Sequence, residues 1–253
     1  MRRRSHRQNR RESSRPLRKR LGRALRVLTA VVLLASAAVV AWFIYESPLL
    51  QVRQVSVAGA ESIDPSVVAD VSGLRGQNII QADTAAAKSR LLALPMVKDV
   101  SIERRWPGRM LVRVQERRPW GYWQVKEQPY VIDDEGVVLD DARPDEGAPT
   151  IFERDSERRL AAGDRVDADA VALSRQLLDS APTALKRDVV ELEYSEHSGL
   201  TAAFEGGLRA TFGDSRDLDY KLSVLYVLLK KGEAQSFAVN SVDLRFGGNV
   251  SFQ

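Results

Sequence analysis

Residues 97–119 read VKDVSIERRWPGRMLVRVQERRP, and the spacing of their apolar side chains decides the fold around them. Val100, Ile102, Trp106, Met110, Val112 and Val114 all fall on even positions, with mostly polar residues between, which is the two-residue period of a half-buried strand. Pro107-Gly108 sits where the chain has to reverse. The stretch is therefore expected to be a β-hairpin with its even residues, Trp106 included, in a core. Glu103, Arg104, Arg105, Arg113, Glu116, Arg117 and Arg118 have two readings. They form cross-strand pairs worth about 0.2–1 kcal/mol each, or they present a basic docking face to another protein.

Upstream, Val52, Val55 and Val57 read as a strand closed by Gly59. Asp64-Pro65 offers a helix cap with proline at the first helical position, followed by an apolar face of Val67, Val68 and Val71 and a stop at Gly73. Gly76-Gln77-Asn78 is a turn and Ile79-Ile80 a small apolar plug. Asp83 caps a second helix that Pro95 terminates. The order is strand, helix, helix, strand, strand.

Before this unit lies Val27–Tyr45, VLTAVVLLASAAVVAWFIY, nineteen residues without a charge. As a helix it reaches about 28 Å, close to the thickness of a bilayer's hydrocarbon core. A buried soluble helix would show a polar stripe, and no rotation of this segment yields one. A cleaved signal peptide competes, with Val27–Leu34 as its apolar region and Ala35-Ser36-Ala37 as its cleavage site. The full apolar length, and Trp42 and Tyr45 at its far end, fit a retained anchor better. Residues 1–26 hold twelve Lys or Arg against one acid, Glu12, leaving the remainder of the chain at −7 out of a total of +4. Basic flanks stay in the cytoplasm, so the expected topology is single-pass with the N-terminus inside and the acidic bulk outside. The basic tail has too few apolar residues to bury a core and is expected to be disordered. Without interleaved aromatics it offers no stacking platform for nucleic acid.

Downstream, Trp120–Val125 continues as strand, and Tyr130–Ile132 and Val137–Leu139 flank an Asp-Asp-Glu-Gly turn as a second hairpin. From Asp164 an amphipathic helix carries Val171, Leu173, Leu177 and Leu178, with Pro182 just past its end. A meander of three strands follows in 189–194, 200–204 and 208–212. Asp214–Lys231 has acids in its first turn and lysines in its last, suiting the helix dipole. A final strand pair turns at Gly247-Gly248.

The chemical inventory is empty. The acids at Asp133, Asp140, Asp141, Asp145 and Glu146 invite the idea of a paired-carboxylate wall hydrolase or an oxygen-ligand metal site. They lie in apparent turns without EF-hand spacing, and solvated turns are their expected role. His197 sits in a Ser-Glu-His-Ser-Gly turn, no phosphate-binding glycine loop is present, and the chain has no cysteine. No catalytic group, cofactor or metal is expected. What remains is an unpaired last strand, whose backbone groups invite strand addition, with Val250 and Phe252 on one face for specificity.

The strand-helix-helix-strand-strand order and the string Val97–Pro119 resemble a POTRA domain, in particular that of the FtsQ/DivIB bacterial cell-division family. Ser241-Val242-Asp243-Leu244-Arg245-Phe246 is similar to the C-terminal segment of that family's β-domain. The resemblance implies an α+β chain: a disordered basic tail (1–26), a transmembrane helix (27–45), a POTRA domain (50–118) and a mixed β-domain with covering helices (119–253). It implies an inner-membrane divisome scaffold, type II in topology, that binds FtsB and FtsL (DivIC)-type partners. The implied site is Arg245, Phe246, Gly248, Asn249, Val250, Ser251 and Phe252. Another exported POTRA protein, acting in transport or assembly, is the competing reading. An outer-membrane transporter would need a barrel, for which the 135 residues after Arg118 are too few.

Overall fold

The computed structural model describes residues 15–45, 47–235, 238–245 and 251–252. The first helix, α1 (Arg15–Tyr45), starts inside the basic segment expected to be disordered, because its Arg, Lys, Leu and Ala residues are good helix formers continuous with the apolar run. Residues 1–14 lie outside the described residues. Side chains from Arg26 to Val40 are exposed throughout, as are Trp42, Phe43 and Tyr45. The side chains of Ala41 and Ile44 lie outside those described, and among the described residues no helix is long and apolar enough to cross a membrane.

A three-stranded sheet follows, in order β1-β3-β2, from β1 (Gln54–Ala58), β2 (Val97–Arg105) and β3 (Arg109–Glu116). β1 runs parallel to β3, with Val55 opposite Met110 and Val57 opposite Val112, and β2 is antiparallel to β3. Between β1 and β2 lie α2 (Pro65–Ser72), capped by Asp64 on the Ser66 N–H, and α3 (Thr84–Leu92), capped by Asp83 on the Ala86 N–H. The even residues of β3, Met110, Val112 and Val114, meet Val68, Ala69, Ala87 and Leu91 of the helices in one core. Three apolar residues expected in the core are exposed instead. Trp106 is 55 % exposed because it lies in the turn beyond the last strand pair, Arg105 opposite Arg109. Val67 and Ile80 also face solvent; Val68 and Ile79 take the core positions instead.

The second sheet has eight strands in the order β11-β10-β9-β8-β7-β6-β4-β5. They are β4 (Pro119–Val125), β5 (Gln128–Asp133), β6 (Thr150–Glu153), β7 (Val189–Ser195), β8 (Gly199–Phe204), β9 (Arg209–Gly213), β10 (Ser241–Asp243) and β11 (Ser251–Phe252). One face is covered by α4 (Ala168–Leu185) and α5 (Leu218–Gln235), which bury Val171, Leu177, Leu222 and Leu225 against Trp123, Ile151, Phe204 and Phe212. The other face is laced with charge: Arg154, just past β6, and Arg209 of β9 both bind Glu193 of β7.

Two helix ends differ from expectation. Pro182 lies inside α4, which continues because Ala181 and Leu185 are buried on its core face and outweigh one missing backbone donor. α5 starts at Leu218 and runs on to Gln235, so Lys230 and Lys231 fall short of its last turn and the dipole match holds only for Asp219. The second hairpin is reduced to a single bridge between Ile132 and Val138, and the returning segment also bridges on its other side, from Val137 to Arg165.

The Asp-Asp-Glu-Gly turn departs furthest from its reading as solvated acids. Asp133 is fully buried. Its Oδ2 accepts from Arg117 Nη1 at 2.5 Å, and its Oδ1 accepts from the N–H groups of Glu135 at 2.9 Å and Val137 at 2.8 Å. Glu135 accepts from the same guanidinium nitrogen at 2.9 Å, and Lys98 of β2 lies 3.1 Å from Glu135 and 3.2 Å from Asp134. Hydrogen bonding from Arg117, then Lys98, holds the Glu135 carboxyl below its ordinary range. Burial alone would discourage charge on Arg117, but Glu135 and Asp133 outweigh it and raise its affinity for the proton. The basic end of the first hairpin is thus plugged into the acidic turn of the second sheet. Several other charges of the hairpin are also paired within the chain. Glu103 pairs with Arg105 and Arg113, and Glu116 accepts the N–H groups of Glu61, Ser62 and Ile63.

Candidate functional site: the C-terminal sheet edge

β10 is three residues long, yet it is held firmly. It lies parallel to β9, with Val242 opposite Ala210, and the flanking bonds run from the Arg209 N–H to the Asn240 carbonyl at 2.9 Å and from the Leu244 N–H to the Thr211 carbonyl at 2.8 Å. The alternation of a strand sends Val242 and Leu244 into the core, where both are almost completely buried. Ser241 and Asp243 are left on the opposite face, and Arg245 folds back onto that face. Its Nε donates to both Asp243 oxygens at 3.0 and 3.1 Å, and its Nη2 donates to Oδ2 at 2.6 Å. This fork holds the Asp243 carboxyl below its usual range.

Gly213, at the end of β9, makes room for that pair. Its φ of +77° is a conformation that side chains rarely adopt, and a Cβ there would stand 2.9 Å from Arg245 Cγ. The next turn is tied to α5 by Lys221, whose buried Nζ donates to the carbonyls of Phe212 and Asp214, each at 2.9 Å. Sequence reasoning passed over both residues. A lone glycine before Asp214 and a lysine on an amphipathic helix carry no signal until β9, α5 and β10 are brought together.

β11 pairs antiparallel with β10, with Val242 opposite Phe252 and Asp243 opposite Ser251, and it is the last strand of the sheet. Of the expected site residues, Ser251 and Phe252 form β11 against β10, and Arg245 lies two residues past the end of β10. Phe246, Gly248, Asn249 and Val250, together with the expected Gly247-Gly248 turn, lie outside the described residues. On the covered side of the sheet, α5 presents Tyr220, Tyr226 and Val227 to solvent. A groove of about 640 Å³ runs between α5 and α4, lined by Thr183, Leu222, Tyr226 and Val227 among others. Among the described residues, no three His, Asp or Glu side chains gather as metal ligands. His197 is exposed, in the turn between β7 and β8.

Comparison with known proteins assigns both parts of the chain. The family model described as "POTRA domain, FtsQ-type" matches residues 50–117, and that described as "Cell division protein FtsQ/DivIB, C-terminal" matches residues 121–245. The chain is 27 % identical to the cell division protein FtsQ of Corynebacterium glutamicum over 219 residues, covering 86 % of this chain and 94 % of the relative. It is 27 % identical to that of Chloroflexus aurantiacus over 83 % of this chain and 77 % of the relative, and 27 % identical to that of Streptomyces coelicolor over 87 % of each. A βααββ unit packed against an eight-stranded mixed sheet, matched by two models in succession, places this chain in the FtsQ/DivIB family of cell-division proteins.

Proposed function

We propose that this chain is a non-enzymatic, membrane-anchored scaffold of the division machinery, which takes an extended segment of an FtsB- or FtsL (DivIC)-type partner onto the outer edge of β11. The observation that carries this reading is the position of β11 at the end of an eight-stranded sheet. An end strand presents backbone N–H and C=O groups along its outer side, and strand addition uses them for affinity while alternate side chains supply specificity. β10 supports the reading too: with Val242 and Leu244 locked in the core, β11 is built on a rigid rail.

In this reading Val27–Tyr45 crosses the inner membrane once, residues 1–26 stay in the cytoplasm, and the units at 50–118 and 119–253 work outside it. The uncharged run 27–45 within α1 supports the crossing, and the basic flank supports the orientation. The unit at 50–118 serves further divisome contacts. Deleting residues 248–253 from the full-length protein tests the proposal. Co-purification of the partner from detergent-solubilised membranes should be lost while the thermal transition of the rest is retained. Undiminished capture by the truncated protein would refute the assignment.

A further inference from the structure

The exit of α1 and the tip of the β2–β3 hairpin lie at the same end of the first sheet. Asn78 donates its side-chain amide to the carbonyl of Tyr45, the last residue of α1, at 2.7 Å, and the N–H of Ile79 bonds the Leu50 carbonyl at 2.7 Å. From the hairpin side, the N–H of Arg53 reaches the Gly108 carbonyl at 2.8 Å. Arg104 joins the two, donating to the carbonyls of Ile79 at 2.9 Å and Ala82 at 3.0 Å. On this shared end Trp106 and Ile80 stand out, 55 % and 50 % exposed, beside the exposed Arg53, Arg105 and Arg109. The acids nearby, among the described residues, are Glu103, held by Arg105 and Arg113, and Asp83, which caps α3.

We infer that this end, centred on Trp106, rests on the outer surface of the bilayer, with the indole at the headgroup level and the arginines on anionic lipid phosphates. The inference rests on the reading of α1 as the membrane span. Two residues separate α1 from the short turn Pro48–Leu50, so the domain has little chain with which to stand away from the membrane. Tryptophan between arginines matches an interface in both its apolar body and its polar partners. The cluster fixes the tilt of the domain on the membrane and hence the height at which the distant sheet edge is presented.

The absence of cysteine from the chain allows single-site fluorophores in the full-length protein, reconstituted in phosphatidylcholine–phosphatidylglycerol nanodiscs. A label at Val32→Cys reports the span through a deep quencher lipid, and a label at Gln81→Cys, beside Ile80, reports the docked end through a headgroup quencher. Quenching of both labels is expected. At Gln81 it should weaken in Trp106→Ser and Arg109→Gln, with roughly a fivefold fall in the docking equilibrium for the lost arginine. It should also weaken in high salt. Quenching at Val32 without quenching at Gln81 would overturn this inference and leave the span intact. Failure at both sites would remove the span and the inference together. Quenching at Gln81 that ignores both substitutions would show that the linker alone sets the distance, and would also overturn it.

Discussion

Asp133→Ala is the most informative single change to the fold, because it removes the acceptor on which the two sheets are joined. The wild-type carboxylate is fully buried, and the Arg117 side chain facing it is 9 % exposed. Breaking a buried pair from one side costs about 3–5 kcal/mol, because the remaining charge is left poorly solvated. Two backbone donors, at Glu135 and Val137, lose their acceptor as well, at about 1–3 kcal/mol each where water cannot replace it. Against this, Glu135 stays 2.9 Å from the same Arg117 nitrogen and is 43 % exposed, so the guanidinium is not wholly orphaned. The net loss should be about 4 kcal/mol, roughly a thousandfold in the folding equilibrium. Arg117→Met should cost less, since Asp133 keeps both N–H donors, and the two changes should be strongly non-additive. Urea denaturation of residues 47–253, followed by tryptophan emission, measures each corner of the cycle. A loss below about 1 kcal/mol for Asp133→Ala, or simple additivity, would refute the buried-pair argument.

Further expectations follow from the same geometry. Gly213→Ala should leave the global melt within about 1–2 kcal/mol of wild type, the usual cost of a left-handed backbone at a side-chain residue. It should nevertheless weaken partner capture by pushing Arg245 off Asp243; unchanged affinity would separate Arg245 from the site. Trp123→Phe should cost about 1–3 kcal/mol, because the indole Nε1 donates at 2.6 Å to Glu153, a buried carboxylate that would keep only Arg158. Thermal unfolding checks that. Asp214 is held at about 2, first by hydrogen bonding from Arg216 and then by Lys221, against an ordinary 3.8. Its depressed value means that its stabilisation is present above pH ~4 and is lost as the pH falls toward ~2. Asp214→Asn should therefore flatten the acid limb of a stability–pH curve while lowering the neutral plateau only slightly, because the group is 40 % exposed. An unchanged acid limb would contradict the coupling.

How much of this was legible beforehand depends on the range over which each signal acts. The hairpin of β2 and β3 and the caps at Asp64 and Asp83 are local, and their periodicity and cap chemistry are written in consecutive residues. Trp106 misled because parity describes a strand and says nothing once the chain has entered a turn. Asp133 misled for a different reason: turn acids are usually solvated, and only the arrival of Arg117 from the neighbouring unit, sixteen residues upstream, converts this one into a buried partner. Pro182 shows the same lesson for helices, where tertiary burial of Ala181 and Leu185 overrides a local stop signal. At the sheet edge, the final strand pair was readable at 239–246 and 249–253, of which 241–243 and 251–252 are strand among the described residues. The parallel pairing of β10 with β9 across the whole of α5, and the space kept by Gly213, are long-range facts that no local pattern encodes.

In the proposed complex a partner's backbone adds to the outer side of β11. Amide hydrogen exchange of the full-length protein, with and without an FtsB-type partner, tests it directly. The amides of residues 249–252 should exchange several-fold more slowly in the complex, with smaller changes along β10. Protection confined to other surfaces, with residues 249–252 exchanging as fast as in the free protein, would contradict it.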